Sequence, residues 1–425
     1  MDFICQQTVL ANGLRLVQVP LPTDSVTVLC LVGAGSKQET PATSGLSHFL
    51  EHLVFKGTKK YPGSFNISST IDGIGAEFNA YTGKEETGFY VKSAVSHLEL
   101  ALEVVAQLVF QPLLKPADLE QERGVIIQEI NMREDQPMMK VGEIFNSLMY
   151  AQASLGWKII GTKKNILNLQ KKDFDQYRRR LYHPQNMVLV LAGGQPDQAL
   201  NLVKKHFSMH NNNTAVVDRL LPARNQEIEP SKQTVKLIHK PIEQAHFCLG
   251  VRALPRCHAD RYVLAVLTAI LGGGMSSRLF TEIREKRGLA YYVRSQGEDY
   301  LPAGHFVSQA GTDVNKAEEA IKLVLAEYKK IGRHLPEKEL VKAKEFIKGR
   351  LVLSLEDSRS VASMVADDLL LEGKIRGPKK LISGINRVSS ADVCRLAQEI
   401  FQPEAMRLAV VGPFKDKEKF VKLLN

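Results

Sequence analysis

Val26-Thr27-Val28-Leu29-Cys30-Leu31-Val32, with its alternating apolar residues, reads as a strand ending at Gly33-Ala34-Gly35. Ala245-His246-Phe247-Cys248-Leu249-Gly250-Val251 is its counterpart in the other half of the chain. Each run is followed by a polar loop and then a helical segment, over 44–55 in the first case and 260–271 in the second. Outward from there the two halves keep step. Strand-like runs follow at 76–82 and 87–93, then at 290–295 and 303–310. Helices with apolar periodicity come next, at 98–110 and 317–331, and each half closes on an apolar strand that stops at Gly, 187–192 and 406–411. Helical hairpins fill much of the rest, for example 115–132 and 336–353.

The same order of elements twice over predicts an internal duplication: an α+β fold of two domains, each a mainly antiparallel sheet packed with helices. His210-Asn211-Asn212-Asn213-Thr214 and a polar stretch with Pro222 and Pro230 separate the copies. The expected domains are 1–212 and 234–425, joined by a linker over 213–233.

Composition supports a globular chain. Of 425 residues 44% are hydrophobic and 24% charged, ordinary values for a protein with large cores. The five cysteines, Cys5, Cys30, Cys248, Cys257 and Cys394, are scattered and form no C-x-x-C pair, so a disulfide framework and a Cys-based zinc finger are not expected and a reducing compartment is. The net charge of +10 comes from dispersed residues, with short clusters such as Arg178-Arg179-Arg180, and no nucleic-acid-binding module accompanies it. No run of about 18 apolar residues is present, so no membrane span is expected. No signal peptide or presequence is visible at the start, and the expectation is a bacterial type of cytoplasmic protein.

The chemistry concentrates in His48-Phe49-Leu50-Glu51-His52. On a helix, positions i and i+4 share a face, so the two imidazoles can reach one metal ion. Glu51 lies on the flank of that face, where it can hold a reacting water. A histidine pair at this spacing also arises by chance on apolar helices, but a carboxylate in so apolar a stretch as 46–55 needs a partner, and a metal supplies one for all three. The pattern H-x-x-E-H is the inverse of H-E-x-x-H. A catalytic zinc requires a third protein ligand. Glu122 and Glu129, two helical turns apart in Glu120-Gln121-Glu122-Arg123-Gly124-Val125-Ile126-Ile127-Gln128-Glu129-Ile130, share one helix face. On the residues alone the solvated reading of that face comes first, because a charged helix normally turns its Glu residues to water.

H-x-x-E-H followed, at 129 − 52 = 77 positions, by a Glu inside E-R-x-x-V-x-x-E resembles the pitrilysin family of inverted-zincin metallopeptidases. The similarity runs over nearly the whole chain. It includes Gly33-Ala34-Gly35-Ser36, Phe55-Lys56-Gly57-Thr58, Asn79-Ala80-Tyr81-Thr82 and His183-Pro184-Gln185-Asn186-Met187, and it is strongest to the processing-peptidase-like branch of about 400-residue subunits. The resemblance implies that His48, His52 and Glu129 hold one Zn2+ per chain, that Glu51 is the general base, and that Glu122 supports the site from behind the ligands. In the second half, Arg284-Glu285-Lys286-Arg287-Gly288-Leu289-Ala290-Tyr291 carries over Arg284 and Tyr291 as a substrate-binding pair: Arg can grip a carbonyl or carboxylate, and a Tyr hydroxyl can donate to a developing oxyanion. The segment Asn79, Ala80 and Tyr81 is expected to bind substrate as an added β-strand. One departure is local: Ala153-Ser154 precedes Leu155-Gly156 where the family often has His-Pro.

Gly272-Gly273-Gly274-Met275-Ser276-Ser277-Arg278-Leu279 is not a phosphate loop, because no G-K-[ST] follows, and it reads as a helix end and a turn. The second half carries no H-x-x-E-H; its matching helix reads Leu264-Ala265-Val266-Leu267-Thr268-Ala269-Ile270-Leu271. The family closes a clamshell-like chamber from four such domains, so this chain implies half of one. Both signatures in one chain imply a homodimer, with a related subunit as the other option. The expected activity is hydrolysis of peptides or unfolded polypeptide segments. The rival expectations are a non-catalytic scaffold subunit of the same fold and a zinc-dependent binding module.

Overall fold

The computed structural model describes residues 4–208 and 228–424, so the expected linker lies outside the described residues up to position 227. The first sheet contains β1 (Gln6–Val9), β2 (Arg15–Pro20), β3 (Ser25–Val32), β4 (Glu77–Thr82), β5 (Thr87–Ala94) and β6 (Met187–Gly193), in the order β1-β2-β6-β3-β5-β4. The second contains β7 (Val235–His239), β8 (Gln244–Ala253), β9 (Ala290–Asp299), β10 (Gly304–Asp313) and β11 (Arg407–Gly412), in the order β7-β11-β8-β10-β9. In each sheet one pair is parallel, β2 with β6 and β7 with β11, and the other neighbours are antiparallel. Without the β1 hairpin the two orders superimpose element for element. The duplication read from the sequence is therefore a duplication of topology, and the fold is α+β.

Central strands in both sheets are covered on two sides. Along β3, Val26, Val28, Cys30 and Val32 point into the main core of the first sheet with Phe49, Leu102 and Val105. The intervening Thr27, Leu29 and Leu31 are buried on the opposite face. The reading of 26–32 as alternating apolar residues therefore understates its burial, since the strand is covered on both faces. The second face is covered by the helix Ser358–Asp367, which packs on β3 and β6, and Thr27 Oγ1 meets Ser358 Oγ at 2.8 Å. In the second sheet the helix Pro137–Tyr150 covers β8 and β11 in the same way, with Phe145 and Leu148 against Cys248 and Ala409.

The two compact units are therefore interleaved in sequence. One takes the described residues of Met1–Ile130, Lys158–Leu221 and Leu351–Lys380; the other takes those of Asn131–Trp157, Pro222–Arg350 and Leu381–Asn425. Each half of the chain contributes a helix to the sheet of the other half.

Candidate metal centre

The helix α1 (Leu46–Val54) carries the H-x-x-E-H residues in the first unit. Its apolar face, Leu46, Phe49, Leu50, Leu53 and Val54, is fully buried, and Phe49 meets Phe174 edge-on at 5.1 Å between ring centroids. Burying a residue of that kind stabilises the fold by roughly 1.5–3 kcal/mol, so α1 is fixed in rotation and its polar positions have one place to point. The N-terminus is fixed as well. Gly45 precedes the helix at φ 101°, a left-handed conformation, and no side chain at that position caps the helix. The cap comes from Glu39, whose two carboxylate oxygens accept from Gly45 N at 2.8 Å and Ser47 N at 2.7 Å. Glu39 is buried, and burial pushes its carboxyl up to about 7 even though these hydrogen bonds and Lys84 favour its charged form.

The helix Pro116–Asp135 brings the two remaining carboxylates. Arg123 anchors it beside α1: the guanidinium donates to Leu169 O at 3.0 Å and lies 5.9 Å from the Phe49 ring centroid. Glu122 and Glu129 then bracket one imidazole. His52 Nδ1 lies 3.1 Å from Glu122 Oε2, and His52 Nε2 lies 3.7 Å from Glu129 Oε2. His48 Nε2 lies 3.6 Å from the same Glu129 oxygen. The solvated reading of the Glu122–Glu129 face thus fails for Glu122, which is buried, and Glu129 is only partly exposed.

His48, His52 and Glu129 each place a ligand atom within 4.8 Å of the other two. Zinc bonds to nitrogen and oxygen are about 2.0–2.2 Å, which puts ligand atoms on a tetrahedral centre about 3.3–3.6 Å apart. The separations of 3.6 and 3.7 Å are within about 0.1 Å of that spacing. The donor set, two imidazoles and a carboxylate, is that of a catalytic zinc site. A hydrogen bond from the far imidazole nitrogen to a carboxylate, as between His52 and Glu122, fixes the ring's tautomer and orientation. Glu122 in turn pairs with Lys56. Burial alone would raise the Glu122 carboxyl, but the bonds to His52 and Lys56 outweigh it and hold it below its usual range. Burial disfavours the charged His52 ring, yet Glu122, Glu51 and Glu129 raise its pKa, so the surroundings favour positive charge at this point.

Glu51 sits on the same helix and is held by a different contact: Thr82 Oγ1, at the end of β4, donates to Glu51 Oε2 at 2.6 Å. β4 is an edge strand that carries Asn79, Ala80 and Tyr81. Asn79 is exposed, Ala80 is buried and Tyr81 is half-buried. Arg284 and Tyr291 belong to the second unit. Arg284 lies in the last turn of the π-helix Phe280–Glu285 with its guanidinium 4.9 Å from the Phe280 ring centroid, and Tyr291 lies near the start of the edge strand β9, 60% exposed. The expectation of a helix end and turn over 272–279 fits the structure, in which the helix Arg261–Gly272 stops there; a Cβ on Gly272 would lie 2.3 Å from Ser295 N.

Three contributors escape a reading of the motifs. Lys56 was in reach, since it stands at i+4 from His52. Thr82 acts through the register of β4, and Glu39 through backbone N–H groups of α1; neither leaves a spacing signal in the sequence.

Residues 16–163 match the family model described as insulinase, peptidase family M16, and residues 168–347 match the one described as the peptidase M16 inactive domain. A Bacillus subtilis (strain 168) protein described as the uncharacterized zinc protease YmxG is 36% identical over 95% of this chain and 97% of its own length. The zinc protease SCO5738 of Streptomyces coelicolor, likewise described as uncharacterized, is 34% identical over 97% of this chain and 90% of its own. Among solved structures, a protease from Helicobacter pylori superimposes with a TM-score of 0.90 at 26% identity, covering 97% of this chain and all of that one. A peptidase M16 inactive domain from Pseudomonas fluorescens shares the fold, with a TM-score of 0.86 at 20% identity. Fold and donor set together describe an inverted-zincin type of protein. The chain belongs to the M16, or pitrilysin, family of peptidases.

Proposed function

We propose that this chain is a zinc-dependent endopeptidase in which His48, His52 and Glu129 hold the metal and Glu51 is the general base. The reading is carried by one observation: the donor atoms of His48, His52 and Glu129 converge, while Glu51, on the same helix as the two histidines, takes a hydrogen bond from Thr82. Zinc bound there supplies Lewis acidity, polarising a carbonyl and making water more acidic. The protein's own residues do the rest. Glu51 is the group that takes a proton from water and returns it to the leaving amine, and Thr82 Oγ1 orients its carboxylate by donating to Oε2. Glu122 holds the His52 ring by its Nδ1. β4, with no strand beyond it among the described residues, is the proposed place for an extended peptide to add along Asn79, Ala80 and Tyr81, a mode that reads side chains weakly. Arg284 and Tyr291 are the proposed grip on substrate carbonyl oxygens.

Glu51→Gln is the test. The variant is expected to retain one zinc per chain by elemental analysis and to lose about 10²–10⁴-fold in cleavage of a peptide mixture. Chelation is expected to abolish cleavage by the parent, and added zinc to restore it. Cleavage by the variant at the parental rate would overturn the base assignment.

The substrates proposed are peptides and unfolded polypeptide segments, enclosed by a homodimer in a bacterial cytoplasm; the five free cysteines suit a reducing compartment. Light scattering is expected to give twice the chain's 47.3 kDa. A monomer at micromolar concentration would refute the closed-dimer arrangement. The scaffold alternative draws on the inactive-domain model, but that match covers 168–347, whereas His48, Glu51, His52 and Glu129 all lie within 16–163.

A further inference from the structure

We infer that a cleft in the second unit, separate from the metal centre's residues, binds the C-terminal residue of a peptide: its carboxylate on Arg333 and Lys342, its apolar side chain on a floor formed by Ile270, Ala343 and Phe346. The cleft has a volume of about 650 Å³, within the range of sites that hold small ligands. It lies between the glycine turn after the helix Arg261–Gly272, the π-helix Phe280–Glu285, the end of the helix Ala317–Ile331 and the start of the helix Glu337–Ser354. Its composition selects the ligand.

The three carboxylates of the lining are already neutralised. Glu339 receives Arg278 at 2.7 Å, Glu327 receives Lys330 at 2.6 Å, and Glu282 is paired with Lys286 and Arg287 at 2.6 and 2.7 Å. Arg333 and Lys342 also line the cleft, and among the described residues neither has a carboxylate partner; Lys342 Nζ donates only to Ser276 O at 2.6 Å. Two uncompensated cations on one cleft match a single carboxylate better than a polyphosphate. The apolar part is equally specific. Phe346, on the cleft's lining, is 40% exposed, an aromatic ring left open to solvent. A Cβ on Gly274 would lie 3.2 Å from the Phe346 ring, so the turn sits directly on that ring. An apolar body with one anionic end satisfies both parts. A chain terminus such as Leu, Phe or Met with its α-carboxylate has that chemistry, and so does a fatty acid.

The choice of a peptide rests on the peptidase reading, and the test needs no turnover. The full-length Glu51→Gln chain is titrated, in the presence of chelator so that no metal competes for the carboxylate, with an N-terminally labelled pentapeptide ending in Leu. The same peptide as its C-terminal amide and decanoate as competitor form the other arms. The free acid is expected to bind at least about tenfold more tightly than the amide, the size of one lost charge-assisted hydrogen bond. In Arg333→Ala/Lys342→Ala, both exposed positions, that preference is expected to vanish while the thermal unfolding midpoint stays put. Equal affinity for acid and amide overturns the inference, as does a preference that survives the double substitution. Decanoate displacing the label with higher affinity than the unlabelled peptide acid would also overturn it, assigning the cleft to fatty acids. None of these outcomes depends on whether the chain hydrolyses anything.

Discussion

Glu39 touches no candidate ligand, yet it terminates the helix that carries three of the site's residues. Its two oxygens receive the Gly45 and Ser47 N–H groups, and burial lifts its carboxyl from 4.5 to about 7. The folded pKa is raised, so between about pH 4.5 and 7 the native state binds the proton that the unfolded chain has released. This group's contribution to stability is present below pH 4.5 and is lost as pH rises through 7. The parent's advantage over Glu39→Gln in urea unfolding is therefore expected to be larger at pH 4.5 than at pH 8. An advantage that grew with pH would contradict the assignment. At the residue scale, His48, Glu51 and His52 were legible because an i, i+4 pair needs only a helix to converge. Glu129 was legible only by resemblance: the helix Pro116–Asp135 carries acids on several sides, and periodicity does not say which face meets α1. Glu39 was illegible, because its partners are backbone N–H groups that every residue but proline possesses.

Among the elements, α1 shows how little tolerance such a helix has. Gly45 takes φ 101°, and a Cβ there would lie 2.8 Å from Ile160 O and 2.9 Å from Gly161 Cα. Gly45→Ala combines left-handed strain with contact against backbone that cannot rotate away. It is expected to destabilise the fold by about 1–3 kcal/mol, read as a fall in the denaturant midpoint at unchanged slope. A neutral result would show that α1 starts elsewhere. Element existence was well marked in the sequence, since strands such as β3, β8 and β10 and helices such as Leu98–Phe110 have lengths and apolar patterns that admit one reading. Their partners were not marked. The pattern of 26–32 gives a strand but not what covers its second face, because apolar packing carries no address.

For the whole molecule, the exchanged helices decide how the chain comes apart. Without Ser358–Asp367, the second face of the first sheet, with Leu29, Leu31, Val188 and Val190, would meet water. A fragment of residues 1–212 is accordingly expected to be insoluble or to bind hydrophobic dyes when produced alone, and to become soluble when produced together with 213–425. Monomeric, cooperatively melting behaviour of 1–212 by itself would show that the exchange contributes little. The duplication was legible in the sequence because the order of elements repeats; the exchange was not, because the helices Pro137–Tyr150 and Ser358–Asp367 are amphipathic segments that would cover either sheet equally well on pattern alone.

That interleaving also sets a timetable on the ribosome. β6 completes the first sheet's strands at Gly193, but the helix that covers their second face ends at Asp367. At roughly 5–20 residues per second of synthesis, the nascent first sheet waits about 10–30 s with one apolar side open. During that interval it is a natural client for a ribosome-associated chaperone, and slow codons placed between the two segments would lengthen its exposure without altering a single residue of the finished protein.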